Sequence, residues 1–85
     1  MGNLQKDSDA NKINRTGIYT IVESGVANIP SSASTYSRLF HFESSGKLQI
    51  IFGRMPELGI SMYIRGYGGN GWERWVVVRG EVLIV

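Results

Sequence analysis

Lys47-Leu48-Gln49-Ile50-Ile51-Phe52-Gly53-Arg54 is the stretch on which the fold turns. Leu48, Ile50 and Phe52 recur at every second position, with Gln49, Ile51 and Gly53 between them. Such a period sends successive side chains to opposite faces of a strand, whereas a helix needs apolar residues three and four apart. Immediately upstream, Ser44-Ser45-Gly46 separates this stretch from Tyr36 to Glu43, which has the spacing and composition of a tight β-hairpin. Downstream, Met55-Pro56-Glu57-Leu58-Gly59 breaks the alternation. Ile60 to Tyr67 resumes it, with Ile60, Met62 and Ile64 opposite Ser61, Tyr63, Arg65 and Tyr67.

The rest of the chain follows the same grammar. Gly17 to Val22 is β-branched and aromatic and reads as a first strand ending at Ser24-Gly25. Ala27 to Thr35 contains Pro30 among Ser and Thr and reads as an irregular surface connection. Gly68-Gly69-Asn70-Gly71 is a loop, Trp72 to Arg79 a further strand, and Gly80-Glu81 a turn into a last strand, Val82-Leu83-Ile84-Val85. Eleven glycines scattered over 85 residues argue against helices, where each costs about 1 kcal/mol relative to alanine. The expected fold is therefore all-β: a small antiparallel sandwich or barrel-like knob of about six short strands. Residues 1–13 are polar with isolated Leu4, Ala10 and Ile13 and read as an arm or linker, leaving 14–85 as one β-domain.

Length and composition narrow the function. A chain this short has no room for two domains, and one core below about 80 residues seldom supplies more than about 3–5 kcal/mol. There is no cysteine and a single histidine, so disulfides, thiolate zinc sites and His-rich metal sites are not available as staples. Association of copies is the remaining source of stability, and the aliphatic Val82, Leu83, Ile84 and Val85 are the expected subunit contact. The formal net charge is only +2 and the arginines are dispersed, which disfavours nucleic acid as a partner. No segment reaches about 18 apolar residues, so no membrane insertion is expected.

Candidate chemistry is sparse. His41 is the one imidazole and lies between Phe40 and Phe42, where a lone histidine is more often hydrogen-bonded than a base. Glu23, Glu43, Glu57 and Glu81 fall at strand ends or turns, where solvated charge is ordinary. Gly66-Tyr67-Gly68-Gly69 lacks the Lys-Ser/Thr and following helix of a phosphate loop. The expectation is a protein that is not an enzyme, with no catalytic residue, metal or cofactor. The informative group is Tyr63-Ile64-Arg65-Gly66-Tyr67 followed by Trp72-Glu73-Arg74-Trp75. Alternation sets Tyr63, Arg65 and Tyr67 on one side, and a hairpin at the Gly/Asn loop brings an indole alongside the guanidinium. These aromatics either fill the core or form a stacking platform for sugars or bases.

In order along the chain come Asp9-Ala10-Asn11, Thr16-Gly17-Ile18-Tyr19, Asn28-Ile29-Pro30, Gln49-Ile50, Tyr63-Ile64-Arg65 and Trp72-Glu73-Arg74-Trp75. This series resembles the knob domain of bacteriophage and pyocin tail fibres, whose plan is Asp-x-Asn, Gly-x-Tyr/Phe, Asn-x-Pro, a Gln on a middle strand, aromatic-x-Arg and Trp-x-x-Trp. The resemblance spans roughly Asp9 to Val78. It implies a virion protein made in the host cytoplasm: a homotrimeric tail-fibre module carried on the remainder of the fibre and recognising a host cell-surface glycan or envelope protein. It also implies that Asp9 and Asn11 mark the stalk junction. Gly17, Tyr19, Asn28, Pro30, Gln49, Tyr63, Arg65, Trp72 and Trp75 become a structural cluster under it. Ser31, Ser32, Glu57, Tyr67 and Asn70 are the candidate receptor-facing loop residues. The chain departs from the plan by continuing through Val76 to Val85 and by lacking a stalk. The alternatives are a purely structural trimerisation or fibre-folding domain and a single-stranded nucleic-acid-binding β-barrel.

Overall fold

A computed structural model of the chain describes residues 2–31, 33, 36–55 and 59–79. The described strands are β1 (Gly2–Leu4), β2 (Gly17–Ile21), β3 (Arg38–Glu43), β4 (Lys47–Met55), β5 (Gly59–Gly68), β6 (Gly71–Trp72) and β7 (Val76–Arg79). They make one mixed sheet in the order β1-β2-β3-β4-β5-β6, with β7 also pairing β5. All pairs are antiparallel except β1 with β2. The all-β expectation holds. What stands against the sheet, among the described residues, is not the second sheet of a sandwich but loops and the single 3-10 turn Ala10–Lys12.

The register explains how an alternating sequence makes two unlike faces. Across one face run the rows Tyr19–Leu39–Ile51–Tyr63 and Gly17–His41–Gln49–Arg65. Leu39, Ile51 and Tyr63 are buried there together with Ile21, Val26, Leu4, Ala10 and Ile13. The opposite face carries Ile18–Phe40–Ile50–Ile64–Val76, Phe42–Leu48–Gly66 and Arg38–Phe52–Met62–Val78. The predicted alternation of β4 and β5 is thus the observed one.

Three expectations need correction. Residues 1–13 are not a free arm: Gly2–Leu4 pairs with Tyr19–Ile21, and Leu4, Ala10 and Ile13 are core residues. Three apolar side chains among polar ones suffice, because backbone bonds hold them in place. The Asp7 and Ala10 amides donate to Gly25 and Ala27 carbonyls, and the Ala27 amide donates to Ser8. Second, Trp72 to Arg79 is not one strand; the Glu73 amide donates to the Gly66 carbonyl and Glu73–Trp75 separates β6 from β7. Third, β5 runs on to Gly68, so the loop shrinks to a turn at Gly69 and Asn70 closed by Gly71, whose φ of 110° demands glycine. The Gly80-Glu81 turn and the strand Val82 to Val85 lie outside the described residues.

If the first segment is part of the core, shortening Leu4 is felt throughout. Leu4→Ala is expected to lower unfolding free energy in urea by about 2–4 kcal/mol, close to Leu39→Ala, while Asn3→Ala stays within about 0.5 kcal/mol. Equal stability of Leu4→Ala and Asn3→Ala would return the segment to the status of an arm.

Candidate functional site

The polar row of the buried face sits where a small domain has least room for charge. Arg65, on β5, is only 6% exposed, and Gln49 and His41 are fully buried. A buried guanidinium is tolerated only when its donors are taken up. Arg65 Nε and Nη2 both donate to Gln49 Oε1, at 3.0 and 2.8 Å, and Nη2 donates to Asn11 Oδ1 at 2.8 Å. The flat faces of the same group are occupied as well. Its central carbon lies 4.2 Å from the centre of the Trp72 ring and 4.6 Å from that of Trp75. Burial pushes the Arg65 pKa down to about 10, with the Asp9 charge acting in the other direction; the group remains charged at neutral pH.

The bonds of Gln49 fix the state of the histidine beside it. With Oε1 accepting from Arg65, the Gln49 amide nitrogen donates to the Ala10 carbonyl at 2.8 Å and faces His41 Nδ1 at 3.1 Å. Nδ1 is therefore the acceptor, and the proton of the neutral ring sits on Nε2, which donates to Glu43 Oε1 at 2.8 Å. Glu43 is steadied in turn by Lys47 at 3.8 Å and by Thr16, whose hydroxyl oxygen accepts from the Glu43 amide at 2.8 Å. The chain Glu43–His41–Gln49–Arg65–Asn11 thereby links β3, β4 and β5 to the N-terminal segment. Both ring nitrogens of His41 are committed within it.

A second knot fastens the loop after β2. Asp9 caps the 3-10 turn by accepting from the Asn11 amide at 2.9 Å, and accepts from Asn28 Nδ2 at 2.8 Å. These two bonds, the Asn28 one first, hold the Asp9 carboxyl below its ordinary value of 3.8. Asn28 adopts a φ of 63°, a left-handed conformation that asparagine accepts more readily than most residues. So placed, its carbonyl receives the Trp75 indole N–H at 3.0 Å. The indole that covers Arg65 also pins the Asn28 loop.

Most residues of the expected structural cluster meet here. Gln49, Arg65, Trp72, Trp75 and Asn28 join directly, and Asp9 and Asn11 belong to the same cluster. Gly17 stands opposite His41 in the register, and Tyr63 is in the neighbouring apolar row. Tyr19 packs on the core and donates its hydroxyl to the Arg15 carbonyl. Pro30 lies apart from the guanidinium. With Ser31, Ile21, Glu23, Val26 and Ile29 it lines a cavity of about 260 Å³. His41 and Glu43 escaped sequence reasoning because each looks ordinary alone; their alternate spacing on one strand was the available signal.

The expected receptor loops do not form one site. Tyr67 is 45% exposed, meets Trp72 edge to face at 5.4 Å and lies under the Lys47 ammonium at 4.9 Å, with Asn70 exposed in the adjoining turn. Ser31 lines the cavity beside Ile21, at the other end of the strands. Ser32, Glu57 and Val82 to Val85 lie outside the described residues. Among the described residues no three His, Cys, Asp or Glu gather to hold a metal ion. No family model, curated protein or solved structure matches the chain.

The cluster yields two measurable outcomes. Arg65→Met leaves Gln49 Oε1 and Asn11 Oδ1 without their donors and is expected to destabilise the fold by about 3–5 kcal/mol; Arg65→Lys recovers little, because a lysine neither forks nor stacks. Full stability in Arg65→Lys, measured by urea unfolding, would contradict the geometry. Asp9 titrates lower in the folded chain than in the unfolded one. Its contribution is accordingly complete above pH 3.8 and is lost as the pH falls through the lower folded value. Stability of Asp9→Asn should show a shallower decline over that acid range than the parent chain.

Proposed function

We propose that the chain is a non-enzymatic module of a phage or phage-derived tail fibre, which assembles as a homotrimer and contributes to recognition of a host surface glycan or envelope protein. One observation carries this reading. Of the residues on which the resemblance rests, Asp9, Asn11, Asn28, Gln49, Arg65, Trp72 and Trp75 are dispersed along the chain and converge on one interlocked cluster around Arg65. Short motifs that resembled the family by chance would have no reason to meet in space.

The chemistry of the cluster favours a scaffold over a reaction centre. Gln49, Asn11 and Arg65 bond one another, and the faces of the Arg65 guanidinium are taken by indoles rather than offered to a base or a phosphate. That enclosure also withholds Arg65, Trp72 and Trp75 from a nucleic-acid strand, which needs exposed aromatic faces and free cations. A rigid scaffold suits a domain that presents loops. The end of the sheet bearing Tyr67, Lys47 and Asn70 offers an exposed ring, a cation and an amide, groups suited to a sugar hydroxyl-and-ring surface. The purely structural reading, a fibre-folding domain, is favoured by the inward orientation of Arg65 and of the ring faces that cover it.

Adsorption separates the two. Carried on a tail fibre, Tyr67→Ala combined with Asn70→Ala should leave assembly and stability unchanged and reduce adsorption to host cells at least tenfold, or about 1.4 kcal/mol. Unaltered adsorption, together with no binding of the isolated domain to host envelope polysaccharide, would leave only the fibre-folding role.

A further inference from the structure

At the end of the sheet away from Tyr67, the cavity of about 260 Å³ opens between the end of β2 and the loop that follows it. Its walls are aliphatic: Ile21 and Val26 belong to the core, and Ile29, Pro30 and Ala33 complete them. Among the described residues one charged side chain, Glu23, lines it, and Ser24 and Ser31 add hydroxyl groups. The Lys6 amide donates to Glu23 Oε1 at 2.8 Å and so orients the carboxylate, yet among the described residues no cation pairs with it. The walls are tied in place by the backbone. The Asp7 amide donates to the Gly25 carbonyl, the Ala27 amide to Ser8 and the Ala33 amide to Pro30. At Ile21 the neighbouring chain bulges: the Tyr36 amide donates to the Ile21 carbonyl at 2.6 Å and the Ile21 amide to the Ser37 carbonyl at 2.9 Å, so that two residues face one. Tyr36 takes a φ of 72° there, a strained value for so large a side chain, and remains 75% exposed. Such bulges gather beside functional sites, and a pocket fixed in advance spares its ligand the entropy of ordering it.

We infer that this cavity binds a small primary amine with a short aliphatic body, the body against Ile21, Val26 and Ile29 and the ammonium at Glu23. The lining selects that chemistry. An anion would meet the Glu23 carboxylate, with no cation among the described lining residues to offset it. A sugar stacks on an aromatic face, and among the described residues no aromatic side chain lines the cavity. A nucleotide or other drug-sized ligand needs more room, since such sites run to about 300–1,000 Å³. An uncharged apolar molecule would fill the walls but take water from Glu23 without replacing it, whereas an ammonium gives the carboxylate a charge-assisted hydrogen bond. The site lies at the other end of the sheet from Tyr67 and Asn70 and stands without the host-attachment reading.

Chemical-shift titration of the full chain at neutral pH with n-pentylamine, and in parallel with n-pentanol, tests it. The amine is expected to shift the amides of Gly25, Val26 and Ala33 and to bind about tenfold more tightly than the alcohol. Glu23→Gln keeps an oxygen for the Lys6 amide, so the fold is retained, and this variant should bind amine and alcohol alike. Ala33→Leu fills the cavity without altering the carboxylate and should weaken the amine about tenfold. Equal affinity of the parent chain for the two probes, or a preference for the amine that survives in Glu23→Gln, would overturn the inference. So would undiminished amine binding by Ala33→Leu, or shifts confined to residues away from the cavity.

Discussion

The fold depends on the accommodation of one positive charge inside a very small domain. Arg65 is 6% exposed, and a guanidinium in that position must have its edges bonded and its faces covered. Each requirement recruits a different part of the chain. Gln49 supplies the acceptor from β4, Asn11 a second from the N-terminal segment, and Trp72 and Trp75 close the two faces. With no disulfide available, this is how residues far apart in sequence are cross-linked. The arrangement gains specificity more surely than stability, since an apolar replacement of the entire group would avoid the desolvation that Arg65 suffers.

From that constraint the loop structure follows. The Gln49 amide reaches the Ala10 carbonyl, which sets the height at which the N-terminal segment crosses the sheet and so places Leu4, Ala10 and Ile13 over Leu39 and Ile51. The Trp75 indole reaches the Asn28 carbonyl, and Asn28 reaches Asp9. One face of the sheet is thereby closed by chain segments that have little regular structure of their own.

The legible part of the fold was the part governed by neighbours in sequence. Alternation in Lys47 to Arg54 and Ile60 to Tyr67, and the Ser44-Ser45-Gly46 turn between flanking strands, depend on periods and spacings of a few residues. So did the pairing of Arg65 with an indole, because a short hairpin sets the distance. The N-terminal segment reads as an arm or linker because most of its residues are polar. Their partners lie far along the chain: Asn11 bonds Arg65 and Ala10 bonds Gln49. Read singly, Glu43 is a solvated acid and His41 a hydrogen-bonded ring; the register sets the ring fully inside and the carboxylate at its nitrogen.

The central claim is that Arg65 and its partners make the N-terminal segment and the sheet one cooperative unit. Native-state hydrogen exchange measures this most directly, through the amides of Ala10 and Ala27, which bond across the two loops, and of Ile51 at the sheet centre. The account predicts that all three open with the same free energy, that of global unfolding. Rapid exchange at Ala10 and Ala27 while Ile51 remains protected would contradict it.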